Sequence, residues 1–372
     1  MLQDLETPVL VLDRARVERN CARMRERLAA AGVALRPHVK TAKSIEVVNI
    51  ACGGKPAPIT ASTLKEAEWF FERGFTDILY AVGIVPGKLA RAAALMRRGC
   101  TLSVILDGVQ AARALADFTA REGVALPALI EIDSDGNRAG VKPEAPELLE
   151  IGAILGPGLR GVMTHAGNSY TSRSEADLRM WAKREREGVV RAAQRLRAAG
   201  HACPVVSVGS TPTALFGESF EGVNEVRAGV YMFFDLVMVG IGVARVDELA
   251  LSVLATVIGH QPEKGWILTD AGWTAMSRDR GTAKHPVDQG FGLVADLEGR
   301  PIGDLIVVET NQEHGIIARR GGGPADLGDF PVGRQLRIFP NHACATGAQH
   351  TSYNVVNGGT SVEARWERFN GW

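Results

Sequence analysis

The sequence predicts an α/β protein: a (β/α)8 barrel followed by an all-β domain. Three observations carry that prediction. Eight short apolar strands alternate with amphipathic helical segments between residues 34 and 228. Most of those helical segments end at a glycine, the residue that best takes the left-handed turn after a helix. After residue 243 the alternation stops, and strands separated by Gly/Pro/Asp-rich turns take over.

The elements follow in order. Thr7-Pro8 leads into a strand over 9–12. Asp13 suits an N-cap, and Val17, Cys21, Met24 and Leu28 recur at helical spacing as far as Gly32. Barrel strands are expected over 34–39, 58–62, 77–82, 101–106, 127–132, 160–165, 204–209 and 225–228. Helices are expected near 44–52, 63–73, 87–98, 109–122, 145–155, 174–199 and 211–217, six of them closed by Gly53, Gly74, Gly99, Gly123, Gly156 and Gly200. A doubly wound open sheet is the alternative. It would carry a Gly-rich first βα turn for a dinucleotide, and no G-x-G-x-x-G opens a helix here. In the second domain strands are expected over 249–258, 266–269, 305–308, 335–339 and 361–365, with no long helix. The barrel is assigned to 14–242 and the β domain to 243–372 together with 1–13.

Composition narrows the function. The 372 residues are 46% hydrophobic and 23% charged, as in a soluble chain with a large core. Lys plus Arg and Asp plus Glu number 42 each, so no net charge attracts nucleic acid or an anionic membrane. The acidic start lacks a cationic region before an apolar run, so no signal peptide is read. The apolar stretch 229–244 carries Asp235 and several glycines and is too short for a span. Five scattered cysteines suggest a reduced, cytoplasmic chain without a disulfide framework.

Barrels keep their chemistry at the carboxyl ends of the strands. Lys40 ends the first, in Arg36-Pro37-His38-Val39-Lys40-Thr41. Asp133-Ser134-Asp135-Gly136-Asn137-Arg138 follows the fifth. His165 and then Ala166-Gly167-Asn168-Ser169-Tyr170 follow the sixth. Gly209-Ser210-Thr211 follows the seventh, and Arg227-Ala228-Gly229-Val230-Tyr231 the eighth. The glycines let backbone N–H groups approach an anion, and the hydroxyls of Ser210 and Thr211 add donors. Gly209, Ser210, Thr211 and Gly229 therefore form a candidate phosphate seat, with two ordinary tight turns as the plainer reading. A lysine opposite a phosphate seat suggests pyridoxal phosphate held as a Schiff base. His165 is either a lid on the ring or a hydrogen-bonded histidine at a strand end. Arg227 and Arg138 are candidates for the ring's polar edge, where a guanidinium, which only donates, keeps a pyridine nitrogen unprotonated. Pairing with Asp133, Asp135 or Glu225 is the alternative for either arginine.

A second cluster is Pro340-Asn341-His342-Ala343-Cys344-Ala345-Thr346. On a strand, His342 and Cys344 at i, i+2 share a face, as two metal ligands would, and imidazole with thiolate suits zinc. A buried cysteine beside a surface histidine is the alternative. His314 is a candidate further contributor to that site, an orienting group beside it, or a turn residue.

Thr7-Pro8-x-x-x-x-Asp13, Arg36-Pro37-His38-x-Lys40-Thr41 and Asn341-His342-x-Cys344-x-Thr346 together resemble the D-serine dehydratase and D-threonine aldolase-like family. These are fold-type III pyridoxal phosphate enzymes with an alanine racemase-like barrel. Stretches 132–138, 205–213 and 270–273 are similar to its 3-hydroxyaspartate dehydratase branch. The resemblance implies that Lys40 is the Schiff-base lysine, and that His342 and Cys344 hold zinc or another divalent ion (manganese, cobalt, nickel or magnesium). It implies a homodimer acting on a small D-β-hydroxy amino acid. Aldolases of the family carry aspartate two residues after the histidine; Cys344 stands there, which favours the dehydratases. Arg227-x-Gly229-x-Tyr231 resembles only part of the racemases' Arg-Pro-Gly motif. The expected reaction is β-elimination to a 2-oxo acid and ammonia. Retro-aldol cleavage, a non-catalytic cofactor carrier and racemisation are the rivals. For a distal carboxylate on the substrate, Arg278, Arg280 and Gln312 are the candidates.

Overall fold

A computed structural model describes residues 1–372. The chain divides into two compact units. One comprises 1–22, 41–47 and 230–370, and the other 23–40, 48–229 and 371–372.

The chain opens with β1 (Val9–Asp13) and α1 (Arg14–Ala30). The alternating series then runs β2 (Ala34–Pro37), α2 (Ile45–Ala51), β3 (Ile59–Ala61), α3 (Leu64–Phe71), β4 (Asp77–Gly83), α4 (Pro86–Arg97), β5 (Thr101–Leu106) and α5 (Val109–Glu122). It continues with β6 (Ala128–Ile132), α6 (Glu147–Leu155), β7 (Leu159–Thr164), α7 (Glu175–Ala198), β8 (Val205–Val208), α8 (Thr211–Phe216) and β9 (Glu225–Ala228). Strands β2 to β9 form one parallel sheet in the order β2-β9-β8-β7-β6-β5-β4-β3. A bridge from His38, just past β2, to Thr60 in β3 brings the two ends of the sheet together. This is the expected barrel, with every strand within two residues of its predicted bounds.

The strands form because both their faces are covered. All five residues of β6 are buried, and the run Ala-Leu-Ile-Glu-Ile is nearly all apolar, as parallel strands require. Leu79, Ile105, Leu129 and Met163, one from each of β4 to β7, pack as a buried cluster. Each such side chain contributes about 1.5–3 kcal/mol. Truncating Leu129 to alanine would cost about 2–5 kcal/mol. Helix α7 starts where Ser174 accepts from the Asp177 amide, and it buries Leu178, Ala182, Glu185, Val189, Ala192, Ala193 and Leu196. Their three-and-four spacing makes one stripe facing the sheet.

The other unit adds α9 (Leu236–Gly240), β10 (Leu251–Gln261), β11 (Trp266–Thr269), α10 (Trp273–Met276), β12 (Gly292–Ala295), β13 (Pro301–Thr310) and β14 (Gly315–Arg319). It ends with β15 (Gln335–Pro340), α11 (Ala343–Gly347), β16 (Ser352–Val356) and β17 (Ala364–Glu367). The sheet order is β11-β14-β13-β12-β15-β10-β1-β16-β17. Strand β11 pairs with β10 as well as β14, so six antiparallel strands close on themselves. β1 lies antiparallel to β10 and parallel to β16.

Strands β12, β14 and β16 were not expected. β12 and β14 are short segments that begin at a glycine, and β14 follows the hairpin turn closed by Asn311 N donating to His314 O. The strand expected over 361–365 lies instead at 364–367. No helix is long and apolar enough to cross a membrane.

Candidate active site

The carboxyl end of the barrel gathers the rim groups. Lys40 is exposed in the turn after β2. His165, just past β7, bonds through Nδ1 to the carbonyl of Gly209, just past β8. Burial, and then the positive charge of Lys40, push His165 down to about 3, so its ring is neutral. The Tyr170 ring lies 6.0 Å from the His165 ring. Arg227 is buried, and its Nε donates to Ser207 Oγ at 2.9 Å while a terminal nitrogen donates to Thr164 O. Burial lowers its pKa, offset in part by Glu225, Glu185 and Glu131.

The phosphate-seat residues are close-packed. At Gly209 a Cβ would stand 2.2 Å from the Arg227 carbonyl, so no larger residue fits between β8 and β9. Ser210 caps α8 by accepting from Thr213 N at 3.2 Å. Its hydroxyl also meets Ser169 Oγ at 3.0 Å and Thr213 Oγ1 at 2.9 Å, and Thr211 is buried beside it. Tyr231 is fully buried in the single turn that follows Gly229.

Sequence reasoning missed two residues here. Glu185, buried on α7, accepts through Oε1 from Ala166 N at 2.9 Å and from Gly209 N at 3.1 Å. It also bonds Thr213, and burial raises its pKa. One carboxylate thus ties the loops after β7 and β8 to α7. The signal was visible: a single glutamate in an apolar helical stripe. His38 is the other. Its Nδ1 is buried without a hydrogen-bond partner, and burial with the charges of Lys40 and Arg227 holds it well below the usual histidine range.

Arg138 lies near enough to His165 for its charge to help hold that ring neutral. Its side chain is largely exposed and pairs with Glu131 at 3.2 Å, a partner not anticipated. Asp133 pairs with Lys142 at 2.6 Å instead, and Glu225 with Arg36 at 2.6 Å.

In the antiparallel unit, His342 and Cys344 stand together, but not on a strand. β15 ends at Pro340; His342 is the N-cap of α11, and Cys344 is inside its first turn. The shared face therefore comes from a strand-to-helix turn. His342 Nδ1 lies 2.9 Å from Asp279 Oδ2, and its ring also bonds Cys344. Burial opposes a charge on His342, but those bonds and the nearby Asp235 outweigh it and push it up to about 11. Thr41 Oγ1 lies 3.2 Å from Cys344 Sγ. Asp235 Oδ2 accepts from Ala343 N at 3.0 Å and anchors the start of α11. His314 is an exposed turn residue. Tyr353 is buried, donates to Ala42 O at 2.6 Å and is pushed up to about 12 by burial.

The residues suit both expected groups. The neutral His165, the orphaned His38 Nδ1, the exposed Lys40 amine and the Ser210 hydroxyl provide stacking, polar and anion-binding groups for pyridoxal phosphate. An imidazole and a thiol within bonding reach of each other suit a borderline-soft divalent ion.

Comparison with known proteins agrees with this layout. Residues 12–237 match the alanine racemase N-terminal domain, and residues 250–356 the serine dehydratase domain. D-threo-3-hydroxyaspartate dehydratase of Delftia sp. (strain HT23) is 54% identical over 100% of this chain and 99% of its own. Its solved structure superposes with a TM-score of 0.97, covering 100% of this chain and 99% of that one. A histidine-to-alanine mutant of that enzyme and a cysteine-to-alanine mutant in the metal-free form superpose equally, at 0.97. D-serine dehydratase of Dictyostelium discoideum is 31% identical over 97% of this chain and 96% of its own. 3-Hydroxy-D-aspartate aldolase of Paracoccus denitrificans is 30% identical over 98% and 91%. With both domains matched in order and such relatives along its whole length, the chain belongs to the D-serine dehydratase and D-threonine aldolase-like family of enzymes.

Proposed function

We propose that the chain is a pyridoxal phosphate- and divalent-metal-dependent dehydratase. Its substrate is D-threo-3-hydroxyaspartate, which it converts to oxaloacetate and ammonia, with D-serine as the simpler second substrate. The observation that carries this reading is the 3.2 Å contact between Thr41 Oγ1 and Cys344 Sγ. Thr41 is the next residue after Lys40, so one peptide bond links the candidate base to a residue touching the candidate metal ligand.

Bound pyridoxal phosphate supplies an electron sink for charge at the α-carbon, and a divalent ion supplies Lewis acidity at the β-hydroxyl. Lys40 would hold the cofactor and would be the base for the α-proton. Gly209, Ser210, Thr211 and Gly229 would seat the phosphate. His165, neutral and flanked by Tyr170, would cover the ring, and Arg227 with Tyr231 would meet its polar edge. Arg138 is the second candidate for that polar edge. His342 and Cys344 would hold the ion. The α-proton and β-hydroxide leave as water; the enamine then takes up water and releases ammonia, leaving the 2-oxo acid.

The cofactor role is assigned to 14–242 and the metal role to 243–372 with 1–13. For the distal carboxylate, Arg280 is held by Asp288 at 2.6 Å and Gln312 donates to Glu313. Arg278 stacks over Trp273 at 4.9 Å and is not tied to a carboxylate. We therefore assign that carboxylate to Arg278. Racemisation fits poorly, because Tyr353, the tyrosine within 243–372, is committed to Ala42 and Arg368. A homodimer in the reducing cytoplasm is the proposed setting.

The test is a product screen over D-serine, D-threonine and both D-3-hydroxyaspartate diastereomers. The dehydratase reading expects ammonia and a 2-oxo acid, fastest from the threo hydroxyaspartate. Glycine with glyoxylate or an aldehyde would identify an aldolase. No turnover of any would leave a cofactor carrier.

A further inference from the structure

The surroundings of the His342-x-Cys344 turn carry one step more. No group of three or more His, Cys, Asp or Glu side chains comes together anywhere to hold an ion. Two protein ligands bind weakly unless they are already aimed when the ion arrives.

Asp279 does the aiming. Imidazole nitrogens face opposite edges of the ring, and Asp279 Oδ2 takes one edge at 2.9 Å from Nδ1. That bond keeps a proton on Nδ1, so the nitrogen that gives up its proton to an incoming metal is Nε2. Asp279 is itself locked. Its Oδ1 accepts from Gly281 N at 2.7 Å, and its carbonyl accepts from Asn341 Nδ2 at 3.1 Å. Asn341 also donates to Gly290 O at 2.7 Å and accepts from Thr282 Oγ1 at 2.9 Å. The residue before His342 thus holds the backbone of the residue whose carboxylate holds His342. Two positions ahead of Asp279, Ser277 has φ 83, a backbone angle side chains disfavour and one that persists where surrounding bonds enforce it.

We propose that Asp279 is a positioning residue for a divalent ion, fixing Nε2 of His342 as the ligating atom. With the Cys344 thiolate it also balances the ion's charge. The inference rests on the assignment of His342 and Cys344 as ligands.

The experiment strips the holoenzyme with chelator, keeps pyridoxal phosphate bound, and titrates Co2+. Kd is read from the thiolate-to-cobalt charge-transfer band. Asp279→Asn keeps the side chain's size and removes its charge. Its Kd should rise about 10–100-fold, while the cofactor's visible absorbance stays as in the parent. Asp279→Glu should recover part of the loss. A parent-like Kd in Asp279→Asn overturns the proposal. So does joint loss of cofactor absorbance and metal in both variants, which would mark a structural role. His342→Ala tests the underlying assignment separately: unchanged Co2+ binding there removes the ligand, and with it the role given to Asp279.

Discussion

The barrel rim and the His342 turn hold their chemical groups by different means. On the rim, His165, Gly209 and Arg227 each stand at or just past the carboxyl end of a parallel strand, so their places follow from strand register. At the turn, His342 is aimed by Asp279, 63 residues earlier, in a stretch without regular structure. Backbone geometry places the first set, and side-chain bonds place the second. Substitutions should therefore separate cofactor behaviour from metal behaviour.

The largest effect is expected for Lys40→Ala. Turnover should fall by at least about 10^3-fold, with the Kd for Co2+ unchanged. Loss of metal binding in that variant would break the separation. Next, Cys344→Ala should lower elimination by about 10^2-fold or more. Its cofactor absorbance should be retained; a vanished cofactor band would show that the turn also builds the cofactor seat.

Glu185→Ala sharpens the comparison from the rim side. It leaves the amides of Ala166 and Gly209 without their acceptor, so denaturant unfolding should show a loss of about 2–5 kcal/mol. Glu185→Gln, which keeps the accepting oxygen, should lose much less. Equal losses would mean that burial of the side chain, not the two bonds, matters there.

These groups differed in how legible they were in the sequence. The eight barrel strands and Lys40, His165 and Ser210 could be read because alternation and glycine stops mark strand ends. His342 and Cys344 were found as a pair, although on a turn rather than a strand. Pro340 ends β15, and a one-turn helix leaves too short a period to detect. Asp279 could not be found from spacing, because its link to His342 is a long-range side-chain bond. Arg138 was placed at the ring from its loop position, whereas its ion pair with Glu131, buried on β6, was not foreseen.

Two smaller effects remain. Arg278→Gln should raise KM for D-threo-3-hydroxyaspartate about tenfold and leave that for D-serine unchanged. A parallel rise for both would remove Arg278 from carboxylate recognition. His165 gives a pH effect. Its folded pKa, about 3, lies below the unfolded value of about 6.5. Between those values the unfolded chain binds more protons, so this contribution to stability is complete above the unfolded value and is lost as pH falls. The thermal midpoint of His165→Asn should therefore fall less than the parent's between about pH 6.5 and 4. Equal slopes would show that His165 is not held neutral.

The most direct measurement is a stoichiometric assay of D-threo-3-hydroxyaspartate turnover before chelation, after it, and after a divalent ion is restored. Equimolar ammonia and oxaloacetate that disappear with the metal and return with it are predicted. Undiminished elimination in the stripped enzyme, or glycine and glyoxylate in place of ammonia and oxaloacetate, would contradict the account.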